Sequence, residues 1–399
     1  MFNRTLSQGK TASIFTISYD FGLKLEKIRP RPKEHALFPE PDIFLAVFDC
    51  LIIHDYQTGE TFLTGEKNQI GAVEKAILES GEPSERTGLR REKSAKTPVQ
   101  SNFTRSEYIE RILEIQELIR KGDTYQTNLT QQFSADIPVG LTPQIIFRNL
   151  RNSHPAAFSA FLKRGDDFVI SISPERFLKI ESSNDPSARF PGENLITVSP
   201  IKGTRRRGAT PTEDQELKND LLNSSKDRAE NIMIVDLLRN DIGRVCRYGS
   251  VEVESLCRLE EHPTLFHLVS TVRGVLRPDI TFADTIRAVF PCGSITGAPK
   301  IRTMQIIDQL ETANRGLSMG AIGFCVPFSS FGFPFPQTPE KAPTFHLDLS
   351  VAIRTMIIRE DRAVFNVGGG IVIDSDPEQE FDESILKAKA IFEAINARI

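Results

Sequence analysis

Two segments of this chain place carboxylates on helix faces that should be apolar. Between Lys226 and Arg239, Glu230 precedes Met233, Ile234, Leu237 and Leu238 at spacings of three, four, seven and eight residues. On a helix those spacings put all five side chains on one side. A carboxylate on a buried stripe has to be paired, protonated or metal-bound, because an isolated buried charge is very costly. Asp227 lies one turn earlier on the same side. Toward the C-terminus Glu380 and Glu383 repeat the arrangement, with Glu383 on a face with Leu386, Ala390 and Ile391 and Lys387 one turn further on. One reading is a salt bridge for Glu230 and a solvated Glu383–Lys387 pair, the latter worth roughly 0.2–0.5 kcal/mol. The other is a single cation held between two helices, and oxygen donors without His or Cys suit Mg²⁺ better than zinc.

Other residues have the right chemistry but an ambiguous setting. Gly293-Ser-Ile-Thr-Gly-Ala-Pro-Lys300 runs into a helical pattern from Ile301 to Leu310. Pro299 suits a first helical turn, and the free N–H groups there, with Thr296, would attract a carboxylate. The spacing is not that of a phosphate-binding P-loop. Gly368-Gly-Gly370 lacks the dinucleotide spacing, so it is either a tight turn or a place where backbone approaches a ligand closely. Arg354 sits in a strand-like run, and its fork suits a carboxylate. Lys202, between Pro200 and Gly203, is either aimed into a cleft or solvated beside Arg205, Arg206 and Arg207. His267 and Glu175 read equally well as structural residues.

The elements that must position these groups have mixed character. Thr104 and Glu107 form a capping box ahead of a helix carrying Tyr108, Ile112, Ile115 and Ile119, with Gly122 at its stop. Further helices are expected at Thr212–Asn223, Lys226–Arg239, Lys300–Glu311 and Pro377–Ala397. Strands are expected at Ile14–Tyr19, Ile43–Ile53, Thr127–Phe133, Ala157–Leu162, Asp167–Ile172, Met319–Val326, Leu347–Ile358 and Ala363–Val367. Polar segments at 81–102 and 182–194 and the proline-rich 327–343 read as loops. Strands adjacent in sequence, with long helices between, suggest an α+β fold with antiparallel sheets. The division expected is a strand-rich N-terminal unit over 1–100 and a catalytic unit over 101–399.

Composition narrows the functional classes. At 399 residues with 39% hydrophobic side chains, the chain can bury a core without staples. A net charge of -4 argues against nucleic acid or an anionic membrane as partner. Five cysteines without a Cys-x-x-Cys spacing argue against a disulfide framework or a zinc site. With no apolar leader and no run long enough to span a bilayer, a cytoplasmic location is expected.

The segments together resemble the chorismate-utilising enzymes, which include anthranilate, aminodeoxychorismate, isochorismate and salicylate synthases. The similarity runs from about Ser101 to Ile399. It is carried by Gly122-Asp-Thr-Tyr-Gln-Thr-Asn128, Ser173-Pro-Glu-Arg-Phe177, Pro200-Ile-Lys-Gly-Thr204, Lys226 to Arg244, Gly293 to Arg302, Gly320-Ala-Ile-Gly323 and Gly368 to Lys387. The resemblance implies two large, mostly antiparallel sheets packed face to face with helices outside. It implies Mg²⁺ held by Glu230 and Glu383 with Asp227 and Glu380 in support. It also implies that Lys387 and the Gly368–Gly370 backbone assist at the ring carboxylate, and that Arg354 holds the enolpyruvyl carboxylate. Glu175 would be the general acid on the departing 4-hydroxyl, with Thr296 nearby. His267 matches a histidine implicated in pyruvate loss in the anthranilate enzymes.

Two positions choose the branch. Gln126 stands where the water-adding relatives carry a lysine base, which disfavours attack by water. Lys202 stands where anthranilate synthases usually have alanine. In the aminodeoxychorismate branch such a lysine attacks C2 as the 4-hydroxyl leaves, and ammonia from a glutamine amidotransferase then enters at C4. The expectation is therefore the large subunit of an aminodeoxychorismate synthase serving para-aminobenzoate and folate synthesis. The alternatives are anthranilate synthase component I and an inactive truncated relative acting as a binding partner. The short N-terminal region, with only Ile17-Ser-Tyr-Asp-Phe-Gly22 similar to the family, makes feedback by tryptophan unexpected. Ser318 replaces a usual aromatic residue, and 327–343 is an insertion.

Overall fold

A computed structural model of the chain describes residues 12–35, 39–56, 58–80, 97–182, 192–263, 265–327 and 345–398. Most of the expected polar loops, and all but Pro327 of the 327–343 insertion, lie outside those residues. Two antiparallel sheets dominate what is described. The nine-stranded sheet runs in the order Ile201–Arg206, Leu265–Val275, Asn194–Val198, Arg176–Ser182, Phe345–Val351, Ala321–Pro327, Ala12–Ile17 and Ile43–Phe48. Its ninth strand, Glu252–Glu261, also pairs with Leu265–Val275. The seven-stranded sheet runs Gly297–Ala298, Gln126–Asp136, Arg362–Ile371, Thr355–Arg359, Asp167–Ser173 and Phe158–Arg164, with Gln100–Ser101 added beside Gln126–Asp136. From the N-terminal segment, Ala12–Ile17 pairs on Ala321–Pro327 and Ile43–Phe48 pairs on Ala12–Ile17, completing the nine-stranded sheet.

The sheets meet through a small apolar cluster of Val169, Ile357, Leu317, Ile322 and Ala352. Helices cover the outer faces. Ser225–Gly243 and Phe282–Val289 bury Ile234, Val235, Leu238 and Ile286 against the nine-stranded sheet. Pro143–Ser153 and Pro377–Ala394 bury Ile146, Ala388, Ile391 and Phe392 against the seven-stranded one. Each terminus is locally specified. Thr104 and Glu107 make the capping box ahead of Arg105–Arg120, and Asp376 caps a helix whose first turn holds Pro377. The α+β, face-to-face architecture expected from the sequence is the one observed.

Several local expectations are corrected. Only strands are expected before residue 100, yet Tyr19–Leu25 and Lys67–Glu79 are helices. The first is about two capped turns with little periodicity. The second buries no side chain, but Ile70, Val73 and Ile77 recur at helical spacing and were the available signal. The run Leu347–Ile358 is two strands rather than one, broken at Ala352–Arg354, where Arg354 takes φ 47°. Gly368–Gly370 is not a turn but lies inside the strand Arg362–Ile371. Glu383 does not share the buried stripe of its helix, which is Ser384, Ala388, Ile391 and Phe392, and Leu386 is 66% exposed. All five cysteines are free.

One buried cluster ties the sheets together and contains a carboxyl, Glu40, that titrates near neutrality. Arg164 holds Asp167 at 2.8 Å and Glu40 at 3.3 Å and donates to the Thr16 hydroxyl. Burial pushes the Glu40 carboxyl up to about 7, against the opposing pull of Arg164. A carboxyl whose folded value is raised contributes stability below its ordinary value and loses it as pH rises through about 7. Melting temperature should therefore fall between about pH 5 and 8 with a share removed by Glu40→Gln. A variant whose melting curve keeps the full wild-type pH slope would take Glu40 out of the explanation.

Candidate active site

The candidate residues converge at one end of the seven-stranded sheet, where Gln126–Asp136 pairs with Arg362–Ile371. The register sets Gly370 opposite Asn128, Gly369 opposite Leu129 and Gly368 opposite Thr130. The glycines are required by what surrounds them. A Cβ on Gly368 would lie 1.8 Å from the Leu129 carbonyl oxygen. One on Gly369 would meet Glu380 Oε2 at 3.1 Å and Lys387 Nζ at 3.4 Å. One on Gly370 would meet Gln126 Nε2 at 2.7 Å and Lys202 Nζ at 3.2 Å. The bare backbone is thus the floor on which the C-terminal helix, the strand carrying Gln126 and the lysine all arrive.

Lys202 reaches that floor because its strand is irregular. Pairing of Ile201–Arg206 with Leu265–Val275 shifts register between Ile201 and Thr204, and Gly203 takes φ 90°. Such a bulge re-aims a side chain. A Cβ on Gly203 would lie 3.0 Å from the Asp227 Cβ, so the metal-candidate helix packs directly behind the bulge. Among the described residues the Lys202 ammonium has no ion pair or hydrogen bond. The adjacent arginines are engaged elsewhere: Arg205 with Asp220 and Asp227, Arg206 with Glu213, and Arg207 with Asp214.

Glu175 lies just beyond the strand Asp167–Ser173 and is 6% exposed. Burial pushes its carboxyl above the ordinary value, although the Ser294 hydroxyl, Lys202 and the Ile201 N–H pull the other way. Its Oε1 has no hydrogen-bond partner. The same holds for both amide atoms of fully buried Gln126, for Thr127 Oγ1 and for Asn128 Oδ1. Five of the nine unsatisfied buried polar side-chain atoms among the described residues therefore lie in or beside this pocket. Since buried polar atoms are nearly always paired, such a concentration marks a place built for a polar ligand.

The remaining candidates divide. Arg354, between its two strands, is half-buried and has no carboxylate partner among the described residues, and burial lowers its pKa. His267 is 4% exposed, with Nδ1 2.9 Å from the Thr204 hydroxyl. Burial, helped by His262 and Arg354, pushes it down to about 4, so the ring is neutral at pH 7. Thr296 is fully buried, but its hydroxyl donates back to the carbonyls of Cys292 and Gly293 at 3.1 and 3.2 Å. It shapes the Gly293–Ile295 turn, and its carbonyl accepts the Asn128 N–H. Ser294, beside Glu175, and the orphaned Thr127 and Asn128 are absent from the sequence-derived set. Their adjacency to Thr296 and Gln126 was the available signal.

The carboxylates flank this pocket without closing into a cage. Burial raises the Glu230 pKa, Asp227 and Glu380 raise it further as like charges, and Lys202 and Lys226 oppose them. Asp227 is paired with Arg205 at 3.1 Å. Glu380 accepts from the Ser375 hydroxyl at 2.7 Å. Glu383, 56% exposed, pairs with Lys387 at 2.9 Å, and that lysine also donates to the Gly368 carbonyl. The Glu383 carboxyl is half-desolvated, which raises its pKa, but Lys387 outweighs this and leaves it below the ordinary value. Among the described residues no three His, Cys, Asp or Glu side chains are gathered closely enough to hold a metal ion. The donor chemistry still fits a hard dication: oxygen only, with like charges that a cation would relieve.

Known proteins resemble this chain over most of its length. The chorismate binding enzyme family matches residues 2–393. An aminodeoxychorismate synthase of Streptomyces griseus is 38% identical over 90% of this chain, which spans only 47% of that longer protein. Anthranilate synthase component 1 of Aquifex aeolicus is 36% identical over 90% of this chain and 70% of its own length. Aminodeoxychorismate synthase component 1 of Escherichia coli is 37% identical over 97% of this chain and 77% of its own length. The crystal structure of anthranilate synthase component I from Streptococcus pneumoniae superposes with a TM-score of 0.78 at 29% identity, covering 95% of this chain and 80% of that one. The chain belongs to the chorismate binding enzyme family.

Gly370→Ala tests the pocket floor. The new methyl would press on the mobile ends of Gln126 and Lys202 rather than on backbone. The fold should survive with a melting temperature within about 2 °C of wild type. Chorismate affinity, measured by calorimetric titration, should fall about tenfold or more, that is by roughly 1.4 kcal/mol. Unchanged affinity would move the binding site elsewhere.

Proposed function

We propose that the chain is the large subunit of an aminodeoxychorismate synthase, converting chorismate and ammonia to 4-amino-4-deoxychorismate for para-aminobenzoate and folate synthesis. The observation that carries the reading is Lys202: an unpaired amine delivered by a bulge to the pocket that holds Glu175, Gln126 and the Gly370 backbone. The large fraction of relatives named for either the aminodeoxychorismate or the anthranilate reaction supports the class of chemistry.

The steps balance. The neutral Lys202 amine adds to C2 of the ring, and the two ring double bonds shift toward C4. The C4–O bond then breaks, with the proton of Glu175 going to the departing oxygen to make water. Burial raises that carboxyl's pKa, which favours the protonated, donating form. Ammonia next adds at C4, the double bonds shift back, and the C2–N bond to Lys202 breaks, with one proton returned to Glu175. Arg354, which has no carboxylate partner among the described residues, would bind the enolpyruvyl carboxylate, with Lys387 near the ring carboxylate. The buried amide of Gln126 offers no base for water, which favours ammonia as the nucleophile. A magnesium ion held by Glu230 and Glu383, with Asp227 and Glu380 in support, would neutralise the ring carboxylate and draw charge from the ring. The ammonia would come from a glutamine amidotransferase partner.

A second reading, anthranilate formation with loss of pyruvate, is favoured by His267, which is neutral at pH 7 and beside Arg354. Product mass separates the two. With chorismate, Mg²⁺ and ammonium, the wild type should yield aminodeoxychorismate without pyruvate. Lys202→Ala should lower that rate by about a hundredfold or more while leaving chorismate affinity within about threefold. Pyruvate and anthranilate from the wild type, or full turnover by the alanine variant, would each defeat the proposal.

A further inference from the structure

A ring of hydrogen bonds behind the pocket holds its two irregular parts at a set distance. Arg315 follows the helix Lys300–Leu310 and is 2% exposed. Its guanidinium grips both oxygens of Glu311, at 2.9 and 2.7 Å. The other contacts reach away from that pair. Nη1 donates to the carbonyl of Ile295 at 3.0 Å, and Nη2 donates to the carbonyl of Asn128 at 2.7 Å. Glu311 accepts from both the N–H and the hydroxyl of Thr130, at 2.8 and 2.9 Å. The Asn128 N–H closes the ring by donating to the Thr296 carbonyl at 2.7 Å. The Tyr19 ring lies 4.4 Å beneath the guanidinium.

Stability alone gives little reason for such a pair. Two charges with side chains 1% and 3% exposed lose so much hydration that apolar residues of similar size would often hold the elements as well. An apolar pair cannot, however, fix two carbonyl groups from different elements at a defined separation. The carbonyls concerned belong to the strand carrying Gln126 and Asn128 and to the turn carrying Ser294 and Thr296. We propose that Arg315, oriented by Glu311, is a positioning residue that sets the separation of this strand and turn, and with it the pocket in which Glu175 and Lys202 act. The inference rests on the pocket turning over chorismate as proposed above.

The test uses Arg315→Lys and the double variant Arg315→Met/Glu311→Leu in the full chain. Melting temperature, steady-state chorismate consumption with ammonium, and amide hydrogen exchange at Asn128 and Thr296 are measured for each. The double variant should lose about a hundredfold in kcat with KM within about threefold and exchange the Asn128 amide about tenfold faster, and it should melt below wild type because the Thr130 N–H and the Ile295 and Asn128 carbonyls lose their partners. Arg315→Lys, which keeps the charge but loses the fork, should lose about tenfold in kcat. A double variant with wild-type kcat, or with wild-type exchange at Asn128, overturns the proposal. Should the double variant not fold, wild-type kcat in Arg315→Lys overturns it and a tenfold loss supports it. If the wild type itself consumes no chorismate, the proposed function fails, while the exchange rates still decide whether Arg315 holds the strand to the turn.

Discussion

The close approach of two strands, Gln126–Asp136 and Arg362–Ile371, is the constraint on which the rest of the pocket depends. Ten residues of each are in register, and at Gly368 the backbones leave no room for a side chain. That closeness brings the amide of Gln126 against Gly370. It also lets Lys387 reach the Gly368 carbonyl from the C-terminal helix. The helix then has one orientation in which its apolar stripe is buried, and that orientation carries Glu380 and Glu383 to the pocket rim. A glycine run inside a strand normally weakens it. Here the weakening is offset by the ladder with Gln126–Asp136, which continues through all three glycines, while Thr355–Arg359 anchors the other end of the strand at Arg362–Phe365.

Electrostatics follow from this geometry. Glu175, Glu230, Glu380 and Glu383 are brought toward one volume, and each feels the others or the loss of water. Lys202 is a shared counter-charge, lowering the pKa values of Glu175, Glu230 and Glu383 against the effect of burial. Burial outweighs this counter-charge at Glu175 and Glu230, whose carboxyls still sit above their ordinary values. A bound dication would change that balance in a definite direction: by neutralising Glu230 and Glu383 it would free Lys202 from service as their counter-charge, which is what an attacking amine requires.

Much of this was legible in the sequence, for identifiable reasons. Long capped helices announced themselves, and Glu230 was conspicuous because a carboxylate beside Met233, Ile234 and Leu237 contradicts the periodicity around it. The fold class followed from the order of strands and helices. What was not legible depends on partners distant in sequence. The break at Ala352–Arg354 has no local signal, because Val351-Ala-Ile-Arg-Thr reads as continuous strand. Its cause is tertiary: Ala352 N–H and carbonyl bond to Gly320 and Met319 rather than to a neighbouring strand. Thr296 looked like a ligand for an anion, and only the fold shows its hydroxyl turned back onto its own turn. Glu383 and Leu386 matched a helical spacing, but the packed face lies one residue further round.

The same distinction bears on why the branch of chemistry rests on so few residues. On the proposed reading, the glycine floor, Arg354, Glu175 and the rim carboxylates would hold a ring bearing two carboxylates and a leaving hydroxyl, and nothing in them would select the nucleophile. On the proposed mechanism selection needs groups that face C2 and C4, and these would be Lys202, beside the bulge at Gly203, and Gln126, at the start of its strand. Irregular backbone can re-aim a side chain without disturbing the core, because the register shift is absorbed between Ile201 and Thr204. If the proposed mechanism holds, position 202 is where one fold could exchange an amine for a methyl group and change its product, while the sheets that position everything else stay as they are.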